Sequence, residues 1–310
     1  SVPGASYNNQ FQVFVYNAAG AQVTYFWCSG NNPGASCTQH LWYLAAGTYS
    51  IVAVPYYGGK ISFNALLQPD VVGPAVATNG TASIALGAGQ VERLTFHANV
   101  GDTVALQVAG VTTTPAGQGV AFLVYRPDAG AITVGTPAYT TFTPTGSQVV
   151  NLSNLPVSGD YTVIVAPNYG LPASAQFSVV SGATGTMPTD GTSQSYSASI
   201  AGQNVYLSFT ATQGQNLELT LNHASVPGAS YNNQFQVFVY NATGAQVAYF
   251  ACSGNNPGAS CTQHLWYMAA GTYSVVAIPT WGGKISFNAL LQPDVIGPAV
   301  ATNGTASIAL

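Results

Sequence analysis

The sequence predicts an all-β protein built of tandem antiparallel β-sandwich domains, jelly-roll-like and of two alternating types. Three observations carry this. First, Ser225–Leu310 repeats Ser1–Leu86 with nine of the 86 paired positions changed and no insertion. A fixed period marks a repeat array, and at 224 residues the repeated unit is whole domains. Second, period-2 alternation rich in Val, Ile, Phe, Tyr and Thr recurs along the chain between Gly, Pro and Asn, and no long stretch holds a helical 3.6-residue period. Third, the two halves of the 224-residue unit match in pattern. Leu94, Phe96, Ala98, Gly101, Val104 and Leu106 lie over Leu207, Phe209, Ala211, Gly214, Leu217 and Leu219 at identical spacing. Phe122–Tyr125 lies over Val237–Tyr240, and Gly159 and Tyr161 over Gly271 and Tyr273.

Taken in order, Gln10–Asn17 alternates well, and Gln22–Trp27, Gln39–Tyr43, Thr48–Pro55 and Lys60–Leu67 follow as strands. Gln68–Pro74 reads as a short proline-bearing linker that limits domain orientation. Thr78–Leu86 opens a second domain, continued by Gln90–Ala98, Thr103–Ala109, Gly119–Arg126, Gln148–Leu152, Tyr161–Ala166 and Ala175–Val180. Ser181–Pro188 reads as a second, more flexible linker. A third domain starts with Gln194–Ile200, Asn204–Ala211 and Asn216–Asn222, enters the duplicated stretch at Ser225 and ends near Asp294. Ile296–Leu310 repeats Val72–Leu86. The expected domains are residues 1–70, a type B sandwich lacking its first strands; 71–181, type A; 182–294, type B; and 295–310, the opening strand of a further type A domain. Domains of about 110 residues with seven to nine short strands fit an antiparallel sandwich.

Ser1 enters its domain at the point equivalent to Ser225, without counterparts of Gln194–Asn222. Such a domain exposes open edges that invite pairing. The expectation is a window cut from a longer array, or neighbours that complete each other by strand addition. The absence of Met and of a signal peptide at Ser1 reads as a processed or excised piece.

Composition narrows the function. The chain is 47% hydrophobic and only 4% charged, where about 25% charged is ordinary. Lys60, Arg93, Arg126 and Lys284 are its only Lys or Arg side chains. No basic patch exists to neutralise phosphates, which argues against nucleic acid, and no polybasic segment to hold an anionic membrane. No run approaches the ~20 apolar residues of a spanning helix, so an integral membrane protein is not expected.

The four cysteines are two copies of one motif, Cys28 to Cys37 and Cys252 to Cys261. An even count at short, loop-like spacing predicts a local disulfide in each and an oxidising compartment. The Asn-Asn-Pro-Gly between them is turn chemistry. The competing reading takes Cys28, Cys37 and His40, and Cys252, Cys261 and His264, as metal ligands. It lacks a fourth ligand, and zinc sites favour tighter cysteine spacing. No metal and no cofactor are expected.

The eight acidic residues fall one at a time, with no close pair suited to glycoside hydrolysis. Phosphate-loop, zincin and nucleophile-elbow motifs are absent from the sequence. His97 and His223 adjoin strand-like segments and read as hydrogen-bonded structural histidines. Asn79, Asn241 and Asn303 open glycosylation sequons of a kind common by chance in an Asn/Thr-rich chain. Tyr56-Tyr57 and Thr280-Trp281 precede Gly-Gly in what reads as a hairpin turn, and Trp27 and Ala251 precede the cysteine loop. These positions differ between otherwise near-identical copies. Trp27, Tyr56, Tyr57 and Trp281 are the candidate binding aromatics, because exposed rings stack on sugars or anchor protein surfaces.

The run Leu-x-Phe-x-Ala-x-x-Gly (Leu94–Gly101), then a Phe/Val-x-Val-Tyr strand, then Leu-x-x-x-Gly-x-Tyr-x-Val, resembles bacterial pre-peptidase C-terminal (PPC-type) domains. These are jelly-roll-like β-sandwiches appended to secreted enzymes and strung along surface proteins. The resemblance spans essentially the whole chain and implies the fold, since its motif is core and turn residues. Some relatives bind calcium, collagen-like or glycan ligands, but the acidic clusters of such calcium sites are missing here.

Together these readings predict no enzyme. They predict a structural tandem-repeat subunit of a bacterial extracellular filament, sheath or adhesin stalk, secreted or at the cell surface. Its self-association would run by strand sharing or head-to-tail contacts. The alternatives are a multivalent module for a glycan or matrix protein, and a non-catalytic accessory region of a secreted enzyme.

Overall fold

In the computed structural model, residues 9–30, 37–41, 44–127, 139–142, 148–254, 260–294, 302, 304, 305 and 307 are described. The chain divides into two units, Ser1–Val180 and Ser181–Leu310. Strand is the dominant regular structure of the described residues, with no α-helix among them.

The first unit opens on the alternating run β1 (Gln10–Tyr16), which buries Phe11, Val13 and Val15 on one face. It pairs antiparallel with β2 (Gln22–Ser29) and with β3 (Ser50–Pro55), giving the sheet order β2-β1-β3. The β1–β2 hairpin is closed by Asn17, whose Oδ1 accepts the amides of Ala19 and Ala21 at 3.1 and 2.9 Å. This is how asparagine makes a local turn.

The same unit continues with β4 (Val71–Ala75), β5 (Gly80–Leu86), β6 (Glu92–Ala98), β7 (Val104–Thr113), β8 (Val120–Tyr125), β9 (Tyr139–Phe142), β10 (Gln148–Leu152), β11 (Gly159–Pro167) and β12 (Ala173–Ser181). They form a four-stranded sheet, β10-β7-β12-β5, and a five-stranded one, β4-β6-β11-β8-β9. Leu94 and Phe96 of β6 and Tyr161, Val163 and Val165 of β11 share one core with Leu106 and Val108 of β7 and Phe177 and Val179 of β12. Alternate residues of facing sheets interlock in this way in a sandwich.

The second unit repeats the plan. Its strands are β13 (Ala183–Thr186), β14 (Gln194–Ser197), β15 (Val205–Ala211), β16 (Gln215–Ser225), β17 (Gln234–Tyr240), β18 (Gln246–Ser253), β19 (Cys261–Met268), β20 (Gly271–Pro279) and β21 (Ser286–Pro293). The sheet orders are β13-β15-β20-β17-β18 and β14-β21-β16-β19, strand for strand those of β4–β12. Leu217, Leu219 and Leu221 of β16 fill the core between the sheets, with Phe209, Val237 and Val275 opposite. Stacked aromatics mark the same point in both sandwiches, Phe96 on Tyr161 at 5.3 Å and Phe209 on Tyr273 at 5.2 Å.

The tyrosine of the Gly-x-Tyr motif has a local task as well. Tyr161 Oη donates to the Val157 carbonyl at 2.7 Å, and Tyr273 Oη to Ala269 at 3.1 Å. Each is a tyrosine corner, a ring buried against the core with its hydroxyl satisfied by backbone upstream. Tyr49 makes the same bond to Ala45 at 2.8 Å.

Several expectations are corrected. The Gln68–Pro74 linker runs into β4, and Ser181–Pro188 contains β13. Both are strands that pair parallel to their sandwich, β4 with β6 and β13 with β15. Glycine permits this approach: an added Cβ at Gly73 would collide with Glu92 and Leu94, and one at Gly185 with Tyr196. Pro74 and Gly185 hid these strands, because neither residue favours a strand interior. The Gly-Gly after Tyr57 and Trp281 is no hairpin: in the second unit it joins β20 to β21, which lie in different sheets. In the first copy the expected strand Lys60–Leu67 is not formed, and the described part of Gln39–Tyr43 is not strand either. The physical reason is that, among the described residues, no strand pairs with them. The equivalent residues form β19 and β21 only by pairing with β16 and β14. The expected opening strand in Ile296–Leu310 lies largely outside the described residues.

Candidate functional site

Cys28 of β2 and Cys37 form a disulfide with Cα atoms 5.4 Å apart, as do Cys252 of β18 and Cys261 of β19 at 5.6 Å. With each sulfur bonded to its partner, neither pair offers thiolate ligands beside His40 or His264. In the second unit β18 is the edge of the five-stranded sheet and β19 the edge of the four-stranded one. The bridge therefore ties the two layers of the sandwich together.

Three of the four predicted aromatics come together. Trp27 lies on β2, and Tyr56 and Tyr57 follow β3 on the other side of β1. Trp27 meets Tyr56 edge-on at 4.8 Å between ring centroids, and Tyr56 meets Tyr57 edge-on at 4.8 Å. Trp27 and Tyr56 are exposed. Trp281 belongs to the second unit, where it lies edge-on to Tyr231 at 5.3 Å, both rings exposed. The residues that replace Trp27 and Tyr56 in the second copy are Ala251 and Thr280. Two of the boldest changes between the copies thus belong to one contact, and the second copy carries a different aromatic pair.

A charged group that sequence reading did not assemble sits beside the first sheet. Asp70 Oδ2 accepts from Arg93 Nη2 at 2.8 Å and lies 3.1 Å from His40 Nε2. Burial lowers the His40 pKa from its ordinary 6.5; Asp70 opposes this, while Arg93 adds to it. A cleft of about 210 Å³ lies here between Thr38–Leu41 and Leu67–Asp70, with Gly89 and Val91 at its side. In the second unit His264 has Glu218 and Asp294 each at 3.5 Å. The available sequence signal was the repetition of the His40–Asp70 pair as His264–Asp294; Arg93 and Glu218 lie on other strands.

The remaining described candidates make local contacts. His97 pairs across strands with Asp160 at 2.9 Å in an exposed position, and His223 Nδ1 lies 3.0 Å from Asn222 Oδ1. Asn79 occupies a turn with φ of 63°. Asn241 Oδ1 accepts the amides of Thr243 and Ala245 at 3.1 and 2.9 Å. Asn303 lies outside the described residues. Among the described residues, no helix is long and apolar enough to cross a membrane.

No family model matches the chain, and no curated protein matches it. Among solved structures it is similar to the pre-peptidase C-terminal domain of collagenase from Bacillus anthracis. The identity is 13%, over 37% of this chain and 99% of that one, with a TM-score of 0.25. It is also similar to Aeromonas hydrophila PliG, a periplasmic inhibitor of g-type lysozyme. That identity is 14%, over 37% of this chain and 100% of that one, with a TM-score of 0.24. Salmonella Typhimurium PliG gives 18% identity, over 36% of this chain and 99% of that one, at a TM-score of 0.23.

Proposed function

We propose that this chain is a structural, non-catalytic segment of an extracellular assembly. In this reading type B (1–70 and 182–294) and type A (71–181) sandwiches alternate, and 295–310 begins a further type A domain. The carrying observation is the repetition of an 86-residue stretch at a 224-residue offset, with nine differences, beside two sandwiches of one topology. Repetition of a rigid module builds length rather than a single reacting centre. A chain with 4% charged residues supplies little of the repulsion that keeps proteins apart. Heterologous contacts between such modules extend into filaments where the rotation does not close. The two disulfides support an oxidising, extracellular or envelope location. Electron microscopy of the native, secreted material tests the reading. Regular filaments with an axial repeat of one or two sandwiches are the expected result, and dispersed strings of beads would overturn it.

A second reading is favoured by the Trp27–Tyr56–Tyr57 group. Exposed, mutually braced rings suit the face of a sugar or a protein surface, and repetition would add avidity. Trp27→Ala with Tyr56→Thr, the residues of the second copy, would abolish glycan or matrix-protein binding in this reading and leave assembly intact.

A further inference from the structure

The sandwich of the second unit carries a cavity of about 170 Å³ on the outer side of its β14-β21-β16-β19 sheet. It is lined by Ser195–Ser197 of β14, Ser286–Asn288 of β21 and His223 of β16. Strand register puts the histidine there. Asn222 pairs with Asn288 and Ser225 with Ser286, so His223 and Ala224 together stand opposite Phe287. A bulge of this kind re-aims a side chain: Ala224 is buried and His223 faces out. His223 has φ of 52°, and its counterpart in the β4–β12 sandwich, Gly110, has 61° with open space where a side chain would begin. Glycine takes this conformation freely, whereas a histidine is strained in it. Ser195 and Asn288 repeat the bonded pair Ser83 and Gln176 of that sandwich, but Ala109-Gly110 there becomes Asn222-His223 here. Strain is thus accepted at the one place where it brings a polar side chain to a cavity, and such strain collects at ligand sites. The three strands all lie within the second unit. In the first unit the sandwich that follows meets the other end of the equivalent segment, through Gln68 to Ala88 and Asp70 to Arg93, and the counterparts of Ser286–Asn288 are Ser62–Asn64.

We propose that this cavity binds a single residue of a neutral sugar through its hydroxyl groups. The site is separate from the Trp27–Tyr56–Tyr57 group and does not depend on it. Its hydrogen-bonding groups are already oriented. Ser195 Oγ donates to Asn288 Oδ1 at 2.7 Å, which leaves the amide nitrogen of Asn288 as a donor on the His223 side, 3.5 Å from His223 Nδ1. His223 Nδ1 lies 3.0 Å from Asn222 Oδ1. An amide oxygen only accepts, so Nδ1 carries the proton of the neutral ring and Nε2 is the acceptor. Among the described residues, no partner bonds His223 Nε2 or the hydroxyls of Ser197 and Ser286. The cavity therefore offers one donor, one acceptor and two hydroxyls that do either, a set that matches adjacent sugar hydroxyls, which also do both. The rings of Tyr196 and Phe287, 6.1 Å apart, add an apolar wall for the carbon face of the sugar. Among the described lining residues none is Lys, Arg, Asp or Glu, so a charged sugar would lose its hydration without gaining a counter-charge. The volume is below the ~300 Å³ at which drug-sized sites begin, which limits the occupant to one ring.

The test titrates the full 310-residue chain with the methyl glycosides of glucose, mannose and galactose and with N-acetylglucosamine, and follows the His223 imidazole by NMR. The signal is assigned by its loss in His223→Gly. The expected result is a saturable shift with at least one of these sugars by about 10 mM, which fills nine-tenths of a site with a Kd of about 1 mM. The His97 signal stays where it is. His223→Gly installs the residue that the other sandwich carries at this backbone conformation, so the melting temperature should hold, while affinity read from saturation transfer to the sugar protons falls at least about tenfold. Ser197→Ala, an exposed change on β14, should weaken binding in the same direction. Trp27→Ala with Tyr56→Thr should leave it intact, so this site and the aromatic group fail separately. Absence of a shift with every one of these sugars overturns the proposal. So does an unchanged affinity in His223→Gly, or displacement of the sugar by sodium sulfate with the same His223 shift, which would mark an anion site instead.

Discussion

Glu92 is a carboxylate inside an apolar sandwich. It is buried on β6 against Gly73 of β4, and burial raises its pKa above the usual 4.5. The folded chain therefore binds this proton more tightly than the unfolded one, and stability falls as pH rises from 4.5 through the raised value. Glu92→Gln should raise the melting temperature at pH 7, with the gain vanishing below pH 4.5, as read by calorimetry across pH. A residue-scale comparison is also built into the repeat. Leu291→Ala removes a fully buried side chain and should cost about 2–5 kcal/mol. Leu67→Ala changes the same residue type in an exposed position and should stay within about 0.5 kcal/mol. Denaturant unfolding of each variant measures both.

Elements differ in what holds them. The β18–β19 disulfide closes a short loop across two sheets, and Cys252→Ser with Cys261→Ser should lose roughly 2–3 kcal/mol by loop-closure entropy. Chemical unfolding of the second unit checks this. The Thr38–Leu41 segment is held through His40, Asp70 and Arg93. Because burial lowers the His40 pKa, the fold favours the neutral imidazole. Its contribution is present above the ordinary value of 6.5 and is lost as pH falls through the lowered folded value. Protection of the Thr38–Leu41 amides, taken relative to the intrinsic exchange rate at each pH, should therefore fall between pH 7.5 and pH 5, and His40→Gln should flatten that change. Part of this network was legible in sequence, since His40 and Asp70 recur together as His264 and Asp294. Arg93 was not, because it reaches Asp70 from β6 of the neighbouring sandwich, and that contact exists only after both have folded.

For the whole molecule, sparse charge is the governing property. If the chain assembles through neutral polar and apolar surfaces, its association should persist from low salt to about 1 M, where ionic contacts are screened within roughly 3 Å. Light scattering across that range measures it, and dissolution by salt would point to the few ion pairs instead. The Trp27–Tyr56 wall belongs to this scale too: two substitutions far apart in sequence turn one copy's surface into another's, and only the pairing of β2 and β3 on either side of β1 shows that they touch.

The near-identical copies separate what local sequence determines from what tertiary structure decides. The β1–β2 and β17–β18 hairpins share one register, including the irregularity at Val15/Tyr16 and Val239/Tyr240. Their turns are closed by Asn17 and Asn241 in the same way, and the corners at Tyr49 and Tyr273 form in both copies. These features join residues close in sequence, so they follow from sequence wherever it occurs. All-β class and paired disulfides were legible for the same reason. The strands β19 and β21 are different. Their sequence is present twice, with Leu44→Met268 its only change, and among the described residues it becomes strand once, where β16 and β14 pair with it. A strand's backbone bonds lie on another segment, so alternation in sequence states what a segment can become and the partner decides whether it does.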